Sequence, residues 1–352
     1  MTTEWMRRAV DDPPDVRPLP RSAHDVIPAM PVPGPQRPGT WTDVAQTLGP
    51  LRWAWQPWLP CGFFTLLAAR TGVGKSALAL RLAACFTAGW PWPQGEPAAD
   101  EPGVVLWCEA EGAQALNYDR AVAWGLDPAC FLAPFPDPLR DVCLDDPEDR
   151  ARIATVARRP DVRLVVVDSL SAALGARRDE NSTFMLEPLR FLAELARDTG
   201  KPVLVTHHLR KAGLLDSGAP ALDRLRGSGA IPQLARVVWL LDAPNAQTPA
   251  ALRLSVVKSN LARFPAPLGL AFDDAGRLTF SADAPAEPEA PTEIEAATQW
   301  LLAALQGGPV KQTDLAYGAE AGGISGITLR RAKVTLGIKS EKRPDGWYWL
   351  LP

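Results

Sequence analysis

The hydrophobic and polar positions of this chain follow two alternating patterns between residues 63 and 242. Short continuous apolar runs are typical of strands buried on both faces of a sheet, and the stretches between them place apolar residues on one face of a helix. The runs predict strands at Phe63–Ala68, Val104–Cys108, Arg163–Asp168, Val203–Thr206 and Arg236–Leu241. The stretches predict helices from Lys75 to about Ala88 and at Ala113–Ala123, Pro147–Arg158 and Phe184–Asp198. This alternation predicts an α/β fold, a mostly parallel sheet covered by helices.

Further elements flank this region. Three shorter strands, predicted at Leu252–Val257, Leu268–Phe272 and Arg277–Phe280, extend the sheet in a β-rich edge. Three tryptophans lie between Leu51 and Trp58, just before the first strand. We interpret them as a packed lead-in to that strand rather than as a platform on which nucleobases stack, because aromatic side chains bury large apolar areas.

Proline-rich stretches divide the chain into domains. Residues 1–40 hold nine prolines and no sustained period, which predicts a disordered segment. Residues 281–291 are rich in proline, alanine and acidic residues, as linkers are, so one large domain covers residues 41–280 and a small one residues 292–352. The small domain has a winged-helix pattern: helices from Thr292 to about Leu305, at Gln312–Ala319 and at Ser325–Leu336, then a hairpin of Ile338–Arg343 and Trp347–Leu351.

The composition excludes several classes of protein. Lysine and arginine number 37 against 40 acidic residues, so no overall basic excess indicates nucleic acid. The five cysteines form no C-x-x-C pair and have no histidine at metal-ligand spacing, which favours a reducing compartment. No stretch approaches the roughly 18 apolar residues of a membrane span, and the N-terminus lacks the apolar core of a secretory signal. We therefore expect a soluble, cytoplasmic protein without membrane contact.

The most informative motif follows the first predicted strand. There the chain reads Ala69-Arg-Thr-Gly-Val-Gly-Lys-Ser76 and passes directly into a helical pattern, the order of a phosphate-binding P-loop. Glycines let the backbone turn its N–H groups inward, the lysine reaches the β- and γ-phosphates, and the serine hydroxyl ligates magnesium. The full pattern begins with glycine, where this chain has Ala69. The residues predicted to bind a nucleoside triphosphate are Thr71, Gly72, Val73, Gly74, Lys75 and Ser76.

Hydrolysis needs acidic groups as well as a phosphate cradle. Asp168 ends a buried strand, where an acid beside the P-loop holds magnesium through water in the Walker-B arrangement. Glu109 and Glu111 lie just past the second strand, and one of them is expected to polarise the attacking water. Spacing alone does not choose between them, because residues two apart point to the same side of a strand.

Two more positions carry polar groups toward the same site. His207 and His208 close another strand at the carboxyl end, where open α/β sheets bind ligands, and this suits sensing of the γ-phosphate. A structural role is equally open for one of the two. Arg226 lies in a glycine-rich stretch from which an arginine can reach a neighbouring subunit's nucleotide, a surface arginine being the alternative.

Together these landmarks resemble those of a known group. From about Trp53 to Phe272 the chain resembles a RecA-like P-loop NTPase of the RepA-like hexameric replicative helicases of plasmids and phages. The landmarks are the loop ending in Gly74-Lys-Ser76, Val105-Leu-Trp-Cys-Glu-Ala-Glu111, Val165-Val-Val-Asp-Ser169, Asp179-Glu-Asn-Ser182, Val203-Leu-Val-Thr-His-His208 and Arg226-Gly-Ser-Gly-Ala-Ile231. Any one of them alone is unspecific, and their order along the chain makes the set specific.

The resemblance implies roles for individual residues. It favours Glu111 over Glu109 as the catalytic acid, His208 as the γ-phosphate sensor and Arg226 as an arginine finger supplied in trans. It implies ATP and Mg²⁺ as cofactors and a homo-hexameric ring that passes single-stranded DNA through its centre, with a replication initiator or primase as a further partner. One departure stands out, because related ring helicases carry a Lys-x-Arg pair where this chain has Lys258-Ser-Asn260.

These observations predict an ATP-hydrolysing DNA motor, a replicative helicase of a mobile element. The alternative is an ATP-switched DNA-binding regulator, or a recombination or replication accessory ATPase, that unwinds nothing, and a small-molecule kinase fits the sequence poorly. From Gly322 to Pro352 six basic residues stand against two acidic ones. The stretch Thr328–Lys333 is therefore a candidate recognition helix for DNA phosphates, or else part of a protein-interaction winged helix.

Overall fold

The computed structural model describes residues 39–98, 101–174, 186–209, 233–245, 248–286 and 292–352. The described residues fall into two units, one ending at Pro50 and the other beginning at Leu51. In the first unit, helix α1 (Trp41–Leu48) begins at Thr40, whose hydroxyl accepts a hydrogen bond from the Asp43 backbone N–H while the Asp43 carboxylate accepts one from the Thr40 backbone N–H. This reciprocal cap satisfies two backbone donors of the first turn. The helix was not predicted, although the Thr-x-x-Asp spacing was a readable signal.

A nine-stranded sheet with the order β11-β10-β9-β8-β3-β7-β6-β4-β5 forms the centre of the second unit. Its strands are β3 (Phe64–Ala69), β4 (Val104–Glu109), β5 (Phe131–Leu132), β6 (Val162–Asp168), β7 (Val203–His208), β8 (Val237–Asp242), β9 (Leu252–Ser259), β10 (Leu268–Phe272) and β11 (Leu278–Ser281). The six strands from β8 to β5 in this order pair in parallel, and β8, β9, β10 and β11 pair antiparallel. The predicted parallel sheet with a β-rich edge is therefore confirmed.

Helices cover both faces of this sheet. They are α2 (Lys75–Thr87), α3 (Gln114–Ala123), α4 (Pro147–Ala157), α5 (Leu170–Ala173) and α6 (Leu186–Thr199). Successive residues of a strand face opposite sides, so Leu67 packs in the cluster that contains Leu78 of α2, while Leu66 packs in the cluster that contains Leu189 of α6. Burial on both faces is the reason why these strands read as continuous apolar runs. The α/β fold predicted from the sequence, a mostly parallel sheet covered by helices, is therefore the fold of this unit.

The tryptophan-rich lead-in is packed, as predicted. Strands β1 (Trp53–Trp55) and β2 (Leu59–Pro60) pair antiparallel before the main sheet. Trp55 and Trp58 are buried and stack at 4.8 Å between ring centroids, with Trp92 and Trp239 at 5.8 Å from Trp55. These rings tie the lead-in to β8 and to the loop after α2.

The C-terminal residues form six elements around a hydrophobic cluster of their own. They are α7 (Glu293–Leu305), β12 (Val310–Lys311), α8 (Gln312–Ala321), α9 (Gly326–Thr335), β13 (Lys339–Arg343) and β14 (Gly346–Leu350). Leu301 of α7, Leu315 of α8, Leu329 of α9 and Trp349 of β14 are buried together. The three strands pair in the order β12-β14-β13. Thr292 caps α7, with Glu295 completing a reciprocal cap.

The structure differs from the predicted elements mainly at strand ends. β7 continues through His208, because its last residues still pair with β3, and β9 runs on to Ser259. The short elements α5, β5, β12 and a 3₁₀ turn at Pro128–Cys130 were not predicted. Within the described part of the chain, no helix is long and apolar enough to cross a membrane. The limits of the disordered segment, the linker and the two domains stay predictions.

Candidate functional site

A tight loop of residues 70–74 joins β3 to α2. Gly72 and Gly74 have φ angles of 82° and 109°, in the left-handed region that favours glycine. Gly74 caps α2, and its carbonyl accepts a hydrogen bond from the backbone N–H of Leu78 at 2.9 Å. The N–H groups of the first helical turn and the positive end of the helix dipole face this loop. The stretch from Thr71 to Ser76 therefore forms a backbone cradle of the kind that binds phosphate.

Ala69 replaces the first glycine of the P-loop pattern without disturbing it. Ala69 is the last residue of β3, fully buried, and pairs in register with His208 on one side and Leu241 on the other. Its carbonyl accepts a hydrogen bond from the Leu209 backbone N–H at 3.0 Å. The residue is in extended backbone that any amino acid adopts, so the methyl group packs in the core and the turn starts after it.

Lys75 is the first residue of α2 and is buried, with only 6% of its surface exposed. Its Nζ lies 3.2 Å from Nδ1 of His208. Burial lowers the pKa of Lys75, and the nearby carboxylates of Glu111 and Asp168 raise it in part. A buried ammonium is costly unless it is paired, and these acids supply the counter-charge.

His208 connects the P-loop to Glu111. Its Nδ1 lies 3.2 Å from both the Lys75 ammonium and the Thr71 hydroxyl, and its Nε2 lies 2.8 Å from Oε1 of Glu111. Because a lysine ammonium only donates hydrogen bonds, Nδ1 is the acceptor and Nε2 carries the proton that is donated to Glu111. The ring therefore joins the predicted phosphate-binding lysine to the predicted catalytic acid.

Glu111 lies in the loop just after β4. Besides the bond from His208, its Oε1 accepts a short hydrogen bond from the hydroxyl of Ser169. Burial alone would raise the pKa of Glu111, but the bonds from Ser169 and His208 and the charge of Lys75 outweigh it, so the pKa lies below its usual value. Glu111 is therefore an ionised carboxylate at neutral pH and an acceptor for a further proton donor.

The carboxylate of Glu109 has different hydrogen-bond partners from that of Glu111. It ends β4, is buried, and its Oε2 accepts hydrogen bonds from Nε1 of Trp107 and Nδ2 of Asn117 at 3.2 and 3.0 Å. Its Oε1 accepts from the backbone N–H of Glu111 at 2.9 Å. Burial is the main cause of a raised pKa for Glu109. Sequence spacing did not show which of the two glutamates is the catalytic acid. In the structure β4 ends at Glu109, and of the two only Glu111 contacts His208.

Asp168 is the last residue of β6. This strand pairs with β7, and β7 pairs with β3, the strand before the P-loop. Its Oδ1 accepts a hydrogen bond from the Thr206 hydroxyl at 2.6 Å, and the Ser76 hydroxyl also bonds to the carboxylate. The following peptide bond, Asp168–Ser169, is cis. Burial raises the pKa of Asp168, and the hydrogen bonds from Thr206 and Ser76 oppose this rise.

Ser76 and Asp168 are the two predicted metal ligands, and their oxygens are adjacent. Mg²⁺ prefers oxygen ligands and is usually held by one or two carboxylates together with substrate phosphates and water. Among the described residues, no group of three or more His, Cys, Asp and Glu could hold a metal ion by itself. The Ser76–Asp168 pair therefore suits Mg²⁺ bound with a nucleotide.

The two neighbouring histidines have different surroundings. His207 is fully buried, and its Nδ1 lies 3.0 Å from the hydroxyl of Ser171 in α5. Residues two apart share one side of a strand, so Thr206 and His208 both face the site while His207 faces away. Sequence reasoning missed Thr206 and Ser169 as partners of the acids, although this alternation along β7 was a usable signal for the first.

Arg226, the predicted finger, lies outside the described residues, as do the landmarks at 179–182 and 226–231. Lys258 is described, near the end of β9, and its Nζ donates a hydrogen bond to the carbonyl of Ala235 at 2.8 Å. Burial, and then the charge of Arg236, lower the pKa of Lys258. This lysine is therefore engaged within its own chain.

Comparison with known proteins gives one family. The sequence model of that family, described as the AAA domain, matches residues 33–214, just over half of the chain. No curated protein sequence matches. The matched range includes the P-loop, both acids and both strand-end histidines.

Solved structures of several proteins are similar to this one. A RadB recombinase aligns with a TM-score of 0.44 at 16% identity, over 63% of this chain and 91% of that chain. A DnaB-like replicative helicase, solved for its interactions with primase, aligns with a TM-score of 0.48 at 17% identity, over 68% of this chain and 64% of that chain. A KaiC-like protein from Pyrococcus horikoshii OT3 aligns with a TM-score of 0.48 at 16% identity, over 66% of this chain and all of that chain.

Proposed function

The chain belongs to the AAA domain family, and on this premise we propose that it is an ATP-hydrolysing DNA motor, a ring-forming replicative helicase of a plasmid, phage or prophage that acts on single-stranded DNA. The observation that carries the hydrolytic part is the connected network of Lys75, His208 and Glu111, at 3.2 and 2.8 Å. A P-loop that bound a nucleotide without hydrolysing it would not need an ionised carboxylate, such as that of Glu111, hydrogen-bonded to His208.

Each residue of the network has a role in this proposal. The P-loop N–H groups and Lys75 hold the β- and γ-phosphates, and Ser76 and Asp168 hold Mg²⁺, which neutralises phosphate charge when it is bound. Glu111 accepts a proton from the attacking water, because its lowered pKa keeps it ionised. His208 touches both Lys75 and Glu111, so a change at the phosphate moves the histidine that holds the acid.

The intersubunit part of the proposal depends on the sequence landmarks. Arg226 supplies positive charge to the nucleotide of the neighbouring subunit, as an arginine finger does, in a homo-hexamer. A replication initiator or primase is the further partner, and the cytoplasm the compartment. Single-stranded DNA passes through the ring.

We propose that the C-terminal elements α7 to β14 form a winged helix, with α9 as its recognition helix and β13–β14 as its wing. Arg330 and Arg331 are exposed on the same face of α9 as Ile327 and Val334. Arginines on such a face meet phosphates or base edges, and aliphatic groups meet thymine methyls. The surface thus suits a DNA groove.

A second candidate is an ATP-switched DNA-binding regulator, or a recombination or replication accessory ATPase, without unwinding activity. It is favoured by Lys258, which bonds to the Ala235 carbonyl of its own chain, and by Asn260, which stands where ring helicases have the second basic residue. Imaging with ATP and single-stranded DNA separates the two candidates. Six-fold rings with DNA-stimulated hydrolysis support the motor, whereas monomers or dimers that DNA does not stimulate support the switch.

Paired glutamate variants test the catalytic assignment. Glu111→Gln should bind ATP as the wild type does and lose hydrolysis by about 100-fold or more, since general base catalysis contributes about 10²–10⁴-fold. Glu109→Gln is the matched control, because Glu109 contacts Trp107 and Asn117 instead of His208. ATP binding by a filter assay and phosphate release are measured on both. Normal turnover in Glu111→Gln, or a larger loss in Glu109→Gln, would show that the assignment is wrong.

A further inference from the structure

A cavity of about 330 Å³ lies between β4, β5, α3 and the loop after β5. Binding sites for small molecules typically have volumes of about 300–1,000 Å³ and a mostly apolar lining with a few polar groups. Tyr118 and Leu139 line the cavity and are 57% and 70% exposed, so it is open to solvent. The nucleotide and DNA sites proposed above do not include this cavity.

Aromatic rings form part of the cavity wall. Trp107 of β4 and Phe131 of β5 have ring centroids 6.4 Å apart and an interplanar angle of 60°, so the two rings meet at an angle. Tyr118 of α3 adds a third ring at the solvent side. An ammonium group is attracted to the face of an aromatic ring, most strongly where water is excluded. This part of the lining therefore suits an organic cation.

A buried carboxylate also lines the cavity. Glu109 is 5% exposed and lies on the same side of β4 as Trp107, two residues before it. Its carboxylate accepts hydrogen bonds from Nε1 of Trp107, Nδ2 of Asn117 and the backbone N–H of Glu111, and none of these three donors carries a positive charge. Among the described residues that line the cavity, none is basic. A ligand is therefore the natural source of a positive charge here.

We propose that this cavity binds a small-molecule organic cation, an ammonium group carried on an aromatic body. The apolar and aromatic lining takes the body, and the Glu109 carboxylate supplies the counter-charge that the ammonium needs when it leaves water. A neutral ligand of the same shape would leave the buried carboxylate without a counter-ion, and an anionic ligand would be repelled by it. The inference does not depend on ATP hydrolysis, because the cavity is lined by neither the P-loop nor Glu111.

The experiment compares probes that differ in charge or in the ring. Calorimetry on the full chain measures the affinities of 2-phenylethylammonium, of its neutral counterpart 2-phenylethanol, and of ethylammonium, which has the charge without the ring. Because a desolvated ammonium gains from both the rings and the carboxylate, 2-phenylethylammonium should bind about tenfold more tightly than 2-phenylethanol. Ethylammonium should also bind about tenfold more weakly than 2-phenylethylammonium, because it leaves the apolar lining unfilled.

Two variants locate the site. Glu109→Gln keeps the size of the side chain and removes its charge, so the preference for the ammonium over the alcohol should fall to about twofold or less. Tyr118→Ala removes a ring that is largely exposed, which leaves the core intact, and it should weaken binding of the ammonium severalfold. Tyr317→Ala is the matched control, because it removes a tyrosine of α8 that is 78% exposed and does not line the cavity.

The proposal is overturned if 2-phenylethylammonium and 2-phenylethanol bind the wild type equally, or if neither binds. It is overturned as well if the preference for the ammonium persists in Glu109→Gln, or if Tyr118→Ala and Tyr317→Ala bind the ammonium equally well. Glu111→Gln tests whether the cation lies at the nucleotide site instead. This variant should keep the wild-type affinity for the ammonium, and a loss of affinity there would place the cation at Glu111 and contradict the proposal.

Discussion

Replacing Gly74 by alanine should destabilise the protein for two separable reasons. The first is the backbone conformation. Gly74 has φ of 109° and ψ of 25°, which residues with a Cβ rarely adopt. The second is space, because the new methyl would lie 3.1 Å from Cζ of Phe272. Contacts at this distance are tighter than ordinary packing, so the ring must shift.

The structure gives a magnitude for each part. The left-handed backbone costs about 1–2 kcal/mol for a residue with a Cβ. Overpacking costs about 1–3 kcal/mol, and the low end applies here because the clash is with the tip of a half-exposed ring. The free energy of unfolding should therefore fall by about 2–3 kcal/mol in Gly74→Ala.

A double-mutant cycle separates the two parts. Urea unfolding is measured for the wild type, Gly74→Ala, Phe272→Ala and the double variant. Removing the ring relieves the steric part and leaves the backbone part, so the coupling energy should be about 1 kcal/mol. Gly95→Ala is the matched control, because Gly95 has φ of 91° and nothing within 4 Å of the built Cβ. The decrease in the free energy of unfolding caused by Gly95→Ala should be the same with and without the Phe272 ring.

Two results would contradict a steric contact between the Phe272 ring and the P-loop. If Gly74→Ala lowers the free energy of unfolding equally with and without the Phe272 ring, the ring does not press on the P-loop in solution. A large coupling between Gly95 and Phe272 would also refute it, since the cycle would then report a general effect of Phe272→Ala on the denatured state.

Two further predictions concern other parts of the molecule. Burial raises the pKa of Glu109, so the folded protein binds a proton on this carboxyl more tightly than the unfolded chain does. The free energy of unfolding of the wild type should therefore rise relative to that of Glu109→Gln as the pH falls from 7 toward about 4. If urea unfolding gives the same pH dependence for the two proteins, this prediction is wrong. If α9 contacts DNA phosphates, replacing Arg330 and Arg331 together by alanine should weaken duplex binding and reduce the salt slope by about two, whereas an unchanged slope in fluorescence anisotropy titrations would favour a protein-binding surface.

Much of the fold was predictable because its strands are buried on both faces. A strand such as β6 must be apolar at nearly every position, so its sequence marks it directly. Helix α6 has one buried face, and its leucines recur at steps of three. The short helix α1 was missed because eight residues contain few helical repeats, and its signal was the cap at Thr40 and Asp43 instead.

The P-loop was predictable because all its parts are contiguous in sequence. The choice between Glu109 and Glu111 was not, because it depends on where β4 ends. Alternation along a strand predicts the same orientation for both, but Glu109 is the last paired residue and Glu111 lies in the following loop. The contact of Glu111 with His208 joins residues 97 positions apart, which no local pattern records.

The register of the central strands is what brings these distant residues together. Ala69 pairs with His208 across β3 and β7, and Glu109 pairs with Asp168 across β4 and β6, so these strands end at nearly the same level. A slip of β7 by one residue would exchange the two faces and put His207 in place of His208. Alanine is tolerated at position 69 because pairing of β3 with its neighbours, and not a glycine, determines the backbone conformation there. The same pairing of Ala69 with His208 holds His208 beside Lys75.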